Sequence, residues 1–210
     1  MNETKTTDLL AWQTKGAVRF LRRAGVAAGQ AVLDFGCGEG NYARPAARIV
    51  RARGTVYAMD KNSSALDALT RAAGEDGLTN VRRVDTAGTV PLPLGDACID
   101  VVLLYDVLHL VGSARQARKS VNRSTVSGRR RLLKELHRIL KPAGLVSAYC
   151  PHLTTHTDAK SEKDIIEEFE AEGFALEKSF CAHVRHNGHI VEGHILTFRR
   201  NDRRGRAGPA

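Results

Sequence analysis

No run of about eighteen consecutive apolar residues occurs in this sequence, so nothing in it reads as a membrane-spanning helix. Its start, MNETKTTD, lacks the basic residues and apolar stretch of a secretory leader, and a soluble, cytoplasmic protein is expected. The four cysteines form no CxxC pair. Cys98, Cys150 and Cys181 sit in apolar strand-like runs and Cys37 in a glycine turn, so reduced thiols are expected rather than disulfides. The eight histidines include no HxH or HExxH spacing, and no residue is assigned as a metal ligand. What remains is ordinary for a globular chain: 42% hydrophobic and 26% charged over 210 residues, enough for one α/β domain with a real core.

The most informative stretch is Val32-Leu33-Asp34-Phe35-Gly36-Cys37-Gly38-Glu39-Gly40, a short apolar strand running into an acidic, glycine-rich turn. Glycine tolerates positive φ and lets the backbone approach a ligand where a Cβ would collide. Asp60 follows twenty residues after Gly40, at the tip of the next apolar segment, where an acid can accept both hydroxyls of a ribose. A dinucleotide site wants G-x-G-x-x-G, and Asn41 stands where its third glycine belongs. Asp34 and Glu39 would repel a pyrophosphate and suit a ligand with cationic groups, such as the ammonium and sulfonium of S-adenosylmethionine.

On these residues the chain resembles the class I S-adenosylmethionine-dependent methyltransferases, in particular the small-molecule ones. The segments VLDFGCGEG (32–40), VYAMD (56–60), Val84-Asp85, CIDVVLLYDVLHLV (98–111) and LLKELHRILKPAGLVSAY (132–149) carry it, over about residues 30 to 150. The resemblance implies that Asp34, Gly36 and Gly38, with Cys37 between them, surround the methionine moiety. It implies that Asp60, followed by Lys61, meets the ribose and that Asp85, followed by Thr86, meets the adenine amino group. Tyr105 matches a position that often lines the cofactor.

Periodicity predicts a helical region to about Ala24, strands at 31–36, 55–60, 81–85, 98–105 and 145–150, and helices at about 41–53, from Ser64 to about Gly74, and at 129–140 and 161–172. Ser64 with Asp67, and Ser161 with Asp164, resemble capping boxes. Two final strands, 174–185 and 190–199, meet at Asn187-Gly188, a strong hairpin signal. The fold class is therefore α/β: a three-layer, doubly wound, mostly parallel seven-stranded sheet with one antiparallel C-terminal strand, a topology similar to that family's own. One domain is expected over residues 1–200, with 1–28 as a helical cap, 111–128 as a basic loop insertion and 201–210 as a disordered basic tail.

In open parallel sheets ligands sit outside the carboxyl ends of the strands. The loops after 36, 60, 85, 105 and 150 should share one rim, and the Asn187-Gly188 turn should join it. His109, His152, His156, His186 and His189 are thereby drawn to one edge, with His186 and His189 directly opposed in the hairpin. A metal site, a general base and plain pocket-shaping residues all remain open readings of them. As a base, His109 stands first, four residues past Tyr105, and His152 second. Asp106 reads either as a base or as a helix cap.

The net charge is +9, and ten lysines and arginines stand between Arg115 and Lys141 against the single acid Glu135. A basic surface can bind phosphates, yet residues 112–128 hold no aromatic that could stack on a base, which weakens an RNA reading. That stretch reads as an acceptor-gating lid or as a solvated loop. The C-terminal arginines should emerge at the opposite edge of the sheet. No Asn-Pro-Pro-Tyr, Asp-Pro-Pro-Tyr or Pro-Cys signature of nucleobase methylation follows the fourth strand, where Tyr105-Asp106-Val107 stands instead. The reading is methyl transfer from S-adenosylmethionine to a small-molecule acceptor by a monomer or homodimer. The alternatives are an RNA or protein methyltransferase using 112–141 and a non-catalytic S-adenosylmethionine-binding interaction module.

Overall fold

A computed structural model describes residues 9–111, 126–154 and 160–202. His156, most of the 111–128 insertion and the tail beyond Asp202 lie outside the described residues. A π-helical turn, Trp12–Gly16, leads into α1 (Ala17–Ala24), whose buried positions Ala17, Phe20, Leu21 and Ala24 follow helical spacing. Gly25 closes α1 in the left-handed region at φ 112°. Then come β1 (Ala31–Phe35), α2 (Ala43–Val50), β2 (Thr55–Asp60), α3 (Ser63–Glu75), β3 (Val81–Asp85) and β4 (Ile99–Tyr105). A 3-10 turn (Leu108–Leu110) follows, then α4 (Val126–Ile139), β5 (Leu140–Tyr149), α5 (Pro151–Thr154), α6 (Glu162–Ala171), β6 (Phe174–His186) and β7 (His189–Arg200).

The strand order is β3-β2-β1-β4-β5-β7-β6. The first five strands pair in parallel, whereas β7 runs antiparallel to both β5 and β6. Side-chain alternation divides the core in two. Val101, Leu103 and Tyr105 of β4 join α1, α2 and α3 on one face, while Val102 and Leu104 join α4 and α6 on the other. This is the three-layer, doubly wound sheet expected from the sequence.

Two local features differ from the sequence expectation, the cap of α3 and the start of β5, and one agrees with it. The cap of α3 is Asn62, whose side chain accepts from Ala65 N at 3.3 Å, because Arg83 draws Asp67 away as an ion-pair partner. The Ser161–Asp164 capping box of α6 forms in both directions. Strand β5 begins at Leu140 rather than 145, since Lys141 to Gly144 bulge outward between the pairs Ile99↔Leu140 and Val101↔Leu145, with Ala143 at φ 59°.

Arg129 and Lys160 meet Glu168, and Arg130 meets Glu172, so α4 is fastened to α6 through two of its arginines. Arg138 pairs with Glu135 and Asp96, and Lys141 with Asp100. Arg199 stands opposite Leu145, the first β5 residue paired with β7, toward the edge away from the strand carboxyl ends.

Candidate active site

The turn after β1 is fixed by its backbone. Gly36, Gly38 and Gly40 have φ of 76°, 52° and 83°, a region costly to other residues. Gly36 N and Cys37 N both donate to Met59 O, at 2.8 and 3.1 Å, which brings the turn over the end of β2. A Cβ on Gly36 would stand 2.5 Å from Val107 Cγ2 and one on Gly40 2.1 Å from Leu69 Cδ1, whereas Gly38 faces open space. Two of these glycines therefore serve packing, and Gly38 leaves room beside the cavity.

Asp60 holds this turn from the neighbouring strand. Its carboxylate accepts from Gly38 N at 2.8 Å and from Asn62 N at 2.9 Å. A cavity of about 830 Å³ opens beside it, lined by Phe35 and Gly36 after β1, by Met59, Asp60 and Lys61, by Thr86 to Thr89 after β3, and by Asp106, Val107, Leu110 and Val111 after β4. Four strand ends thus share one rim, as a parallel sheet dictates.

The remaining expected cofactor residues fall into different settings. Asp34 is buried beneath the turn; burial, opposed by a hydrogen bond from Ala43 N and reinforced by Asp60, pushes its carboxyl up to about 7. Its Oδ2 is buried without a hydrogen-bonding partner among the described residues. Cys37 is buried too, and burial with the nearby Asp34 and Asp60 charges holds its thiol far above the usual range, so it is no nucleophile.

Tyr105 does not line the cavity. Its ring packs 4.6 Å from Tyr42 and 5.7 Å from Phe20, its hydroxyl meets Ser147 Oγ at 2.7 Å, and burial keeps the phenol protonated. Asp85 is likewise outside the lining. Arg83, two residues back on the same strand face, clamps both its oxygens at 2.8 Å, while Thr86 takes the place at the wall.

Around Asp106 the chain assembles a second group. Asp106 follows β4 with φ 56°, strained for a residue with a Cβ, and its N donates to Tyr149 O at 2.9 Å. His186 Nδ1 donates to its Oδ2 at 2.8 Å; His152 Nε2 and His109 Nδ1 stand 3.5 and 3.7 Å from Oδ1. The rings of His109 and His152 are 4.4 Å apart and those of His152 and His186 4.8 Å. The 3-10 turn is capped by Val107, so Asp106 is not its cap.

Sequence reasoning brought the histidines to one rim but did not make Asp106 their centre. The usable signal was the hairpin: Asn187 and Gly188 have φ of 48° and 82°, the primed turn that sets His186 opposite His189. His189 is exposed.

Residues 33–148 match the family described as methyltransferase domain. A demethylmenaquinone methyltransferase of Lactobacillus johnsonii is 28% identical over 128 residues, covering 61% of this chain and 46% of that protein. The chain thus spans less than half the length of that relative. A protein of Mycolicibacterium smegmatis described as a probable S-adenosylmethionine-dependent methyltransferase is 26% identical over 208 residues, covering 88% of this chain and 70% of that one. The crystal structure of a SAM-dependent methyltransferase from Aquifex aeolicus superposes with a TM-score of 0.68 at 19% identity, over 95% of this chain and 99% of that chain, a likeness of fold.

Proposed function

The chain belongs to the methyltransferase-domain family, within the class I S-adenosylmethionine-dependent methyltransferases, and from that premise we propose that it methylates a small-molecule acceptor. The observation that carries this reading is the Asp60 carboxylate, tied to Gly38 N and Asn62 N at the edge of a cavity walled by four strand ends. S-adenosylmethionine, when bound, supplies an electrophilic methyl on sulfur. The residues present fit it. Asp34 offers a buried carboxylate oxygen lacking a partner among the described residues, Gly38 leaves open space, and Asp60 and Lys61 line the cavity where they could meet a ribose.

Three things favour a small acceptor. A cavity of about 830 Å³ is in the range of small-ligand sites and encloses more than a nucleoside needs. Three arginines of α4, at 129, 130 and 138, are each paired with an acid, which makes them less available to phosphates. The demethylmenaquinone methyltransferase, by its name, also acts on a small molecule.

The chain's own contribution is positioning. Asp34 and the glycine turn hold the methionine end, Asp60 the ribose and the Thr86 side of the wall the base. In-line alignment of nucleophile, methyl and sulfur then supplies most of the acceleration. His109 and His152, 3.7 and 3.5 Å from the Asp106 carboxylate that lines the cavity, are the candidates for taking an acceptor proton.

The test uses S-adenosylmethionine labelled on its methyl group and a cell extract split by size. Label entering the small-molecule fraction, with little loss on raising salt, is the expected result. Label confined to RNA or protein and falling steeply with salt would overturn the small-acceptor assignment. Tight S-adenosylhomocysteine binding with no transfer to any fraction would favour a binding module instead.

A further inference from the structure

Asp106 gathers side chains of a kind and spacing that suit a metal ion. It brings together a carboxylate and imidazoles from the β4 end, the β5 end and the β6–β7 hairpin. Oδ2 is taken by His186, while Oδ1 is buried with no hydrogen bond among the described residues, His152 Nε2 standing 3.5 Å away and His109 Nδ1 3.7 Å. One donor atom each from Asp106, His152 and His186 lies within 4.8 Å of the others. Ligands at about 2.0–2.1 Å from a tetrahedral ion stand about 3.3 Å from one another, so these separations bracket the edges of a coordination polyhedron. The residue at the hub is also held at φ 56°, a cost that the hairpin and β5 contacts must sustain.

We infer that Asp106, His152 and His186 bind one divalent first-row transition ion of the zinc or cobalt type. Two imidazoles with one carboxylate suit such ions and disfavour magnesium or calcium, which prefer all-oxygen sets. Asn187 Nδ2 donates to His186 Nε2 at 3.1 Å while the ring's Nδ1 donates to Asp106, so a metal taken at Nδ1 moves the ring proton to Nε2 and turns the Asn187 amide to accept it through its oxygen. With three protein ligands, at least one coordination position stays open. Asp106 also lines the cavity, so that position faces the acceptor end and takes a hydroxyl or thiol; this last step rests on the methyl-transfer reading. His152 then coordinates rather than moves a proton, and His109 stands beside the open position.

The experiment titrates the tag-free full chain, stripped with a chelator and exchanged into chelator-free buffer, with Co2+ and then Zn2+. One Co2+ per chain, a visible absorption band of low-symmetry coordination and its loss on Zn2+ displacement are expected. Asp106→Asn, His152→Ala and His186→Ala should each weaken binding by about tenfold to a hundredfold or more, whereas His194→Ala, whose ring meets Glu162, should not. A metal-free melting midpoint and far-ultraviolet circular dichroism close to those of the unaltered chain show each variant folded; where an alanine variant fails this check, His152→Gln or His186→Gln takes its place. Absence of saturable binding, or equal affinity in Asp106→Asn, overturns the site. S-adenosylhomocysteine binding without metal binding would sink this inference alone. Metal binding without S-adenosylhomocysteine binding would sink the methyl-transfer reading and leave the site standing.

Discussion

The half of the rim carried by β1 and β2 is written in one stretch, 34–60, whereas the half around Asp106 collects side chains from loops up to 80 residues apart. The first is held by backbone: three glycines at positive φ, two amides on Met59 O and one on Asp60. The second is held by side chains meeting across strand ends. A site built from local backbone shape demands particular residues at particular spacings, and sequence reports it. A site built from convergence demands only that several loops end at the right height.

That difference can be broken most sharply at Asp60. Removing its carboxylate leaves Gly38 N and Asn62 N without their acceptor and takes away the ribose contact. Two hydrogen bonds to a charged acceptor are worth about 3 kcal/mol together, so Asp60→Ala should weaken S-adenosylhomocysteine binding by about a hundredfold in calorimetry. Cobalt binding at Asp106 should stay unchanged. Unaltered S-adenosylhomocysteine affinity would mean that the contiguous half is not the cofactor site.

Gly36 is the point where the two halves touch, since an added Cβ meets Val107 of the β4 loop. Gly36→Ala should cost about 1–3 kcal/mol from positive φ and overpacking together, read as a fall in melting midpoint. Adding Val107→Ala should recover only the steric part. Full recovery would show that φ at this turn carries no strain.

Asp34 offers a gentler probe through pH. Its carboxyl, pushed up to about 7 chiefly by burial, is protonated in the ligand-free chain below that pH; the surrounding phenols of Tyr42 and Tyr105 and the Cys37 thiol are all raised and remain neutral. A ligand ammonium favours the ionised form, so binding releases a proton. Affinity for S-adenosylhomocysteine should then rise with pH toward 7, by at most about tenfold per unit, and flatten above it. Asp34→Asn should remove that slope. For folding the sign is opposite: the native chain holds the proton that the unfolded carboxyl, at 3.8, has lost, so ligand-free stability declines as pH rises from about 4 to 7.

How much of this was legible follows residue by residue. The parallel order, the antiparallel β7 and the Ser161 cap came from alternation, periodicity and a two-residue signal acting over short range. Gly36, Gly38 and Gly40 were legible because only glycine takes those φ values cheaply. The Asn62 cap was not, because the competitor for Asp67 is Arg83, on a strand that only the fold brings near. Asp106 was not, because a non-glycine residue at positive φ leaves no mark in sequence and its partners depend on three loop conformations at once. The strand-end rule brought His109 and His152 to the rim, and His186 was placed more closely, through the register its hairpin imposes.

Arg83 gives the smallest and most discriminating test. The family resemblance sends the Asp85 carboxylate to the adenine amino group, yet Arg83 holds both its oxygens on the outer face, where Asp67 and Ser63 of α3 also meet the guanidinium. The pair is exposed to solvent, so rotating Asp85 toward the cavity trades a screened contact for a ligand hydrogen bond at little net change. If Asp85 stays with Arg83, then Asp85→Asn and Arg83→Ala should each leave S-adenosylhomocysteine affinity within about threefold, since surface pairs of this kind contribute little. A loss well beyond that in Asp85→Asn, with a gain in Arg83→Ala, would show the carboxylate swinging inward on binding. The adenine contact would then belong to the contiguous logic of the β1–β2 half after all, with Arg83 as the competitor that masks it in the ligand-free chain.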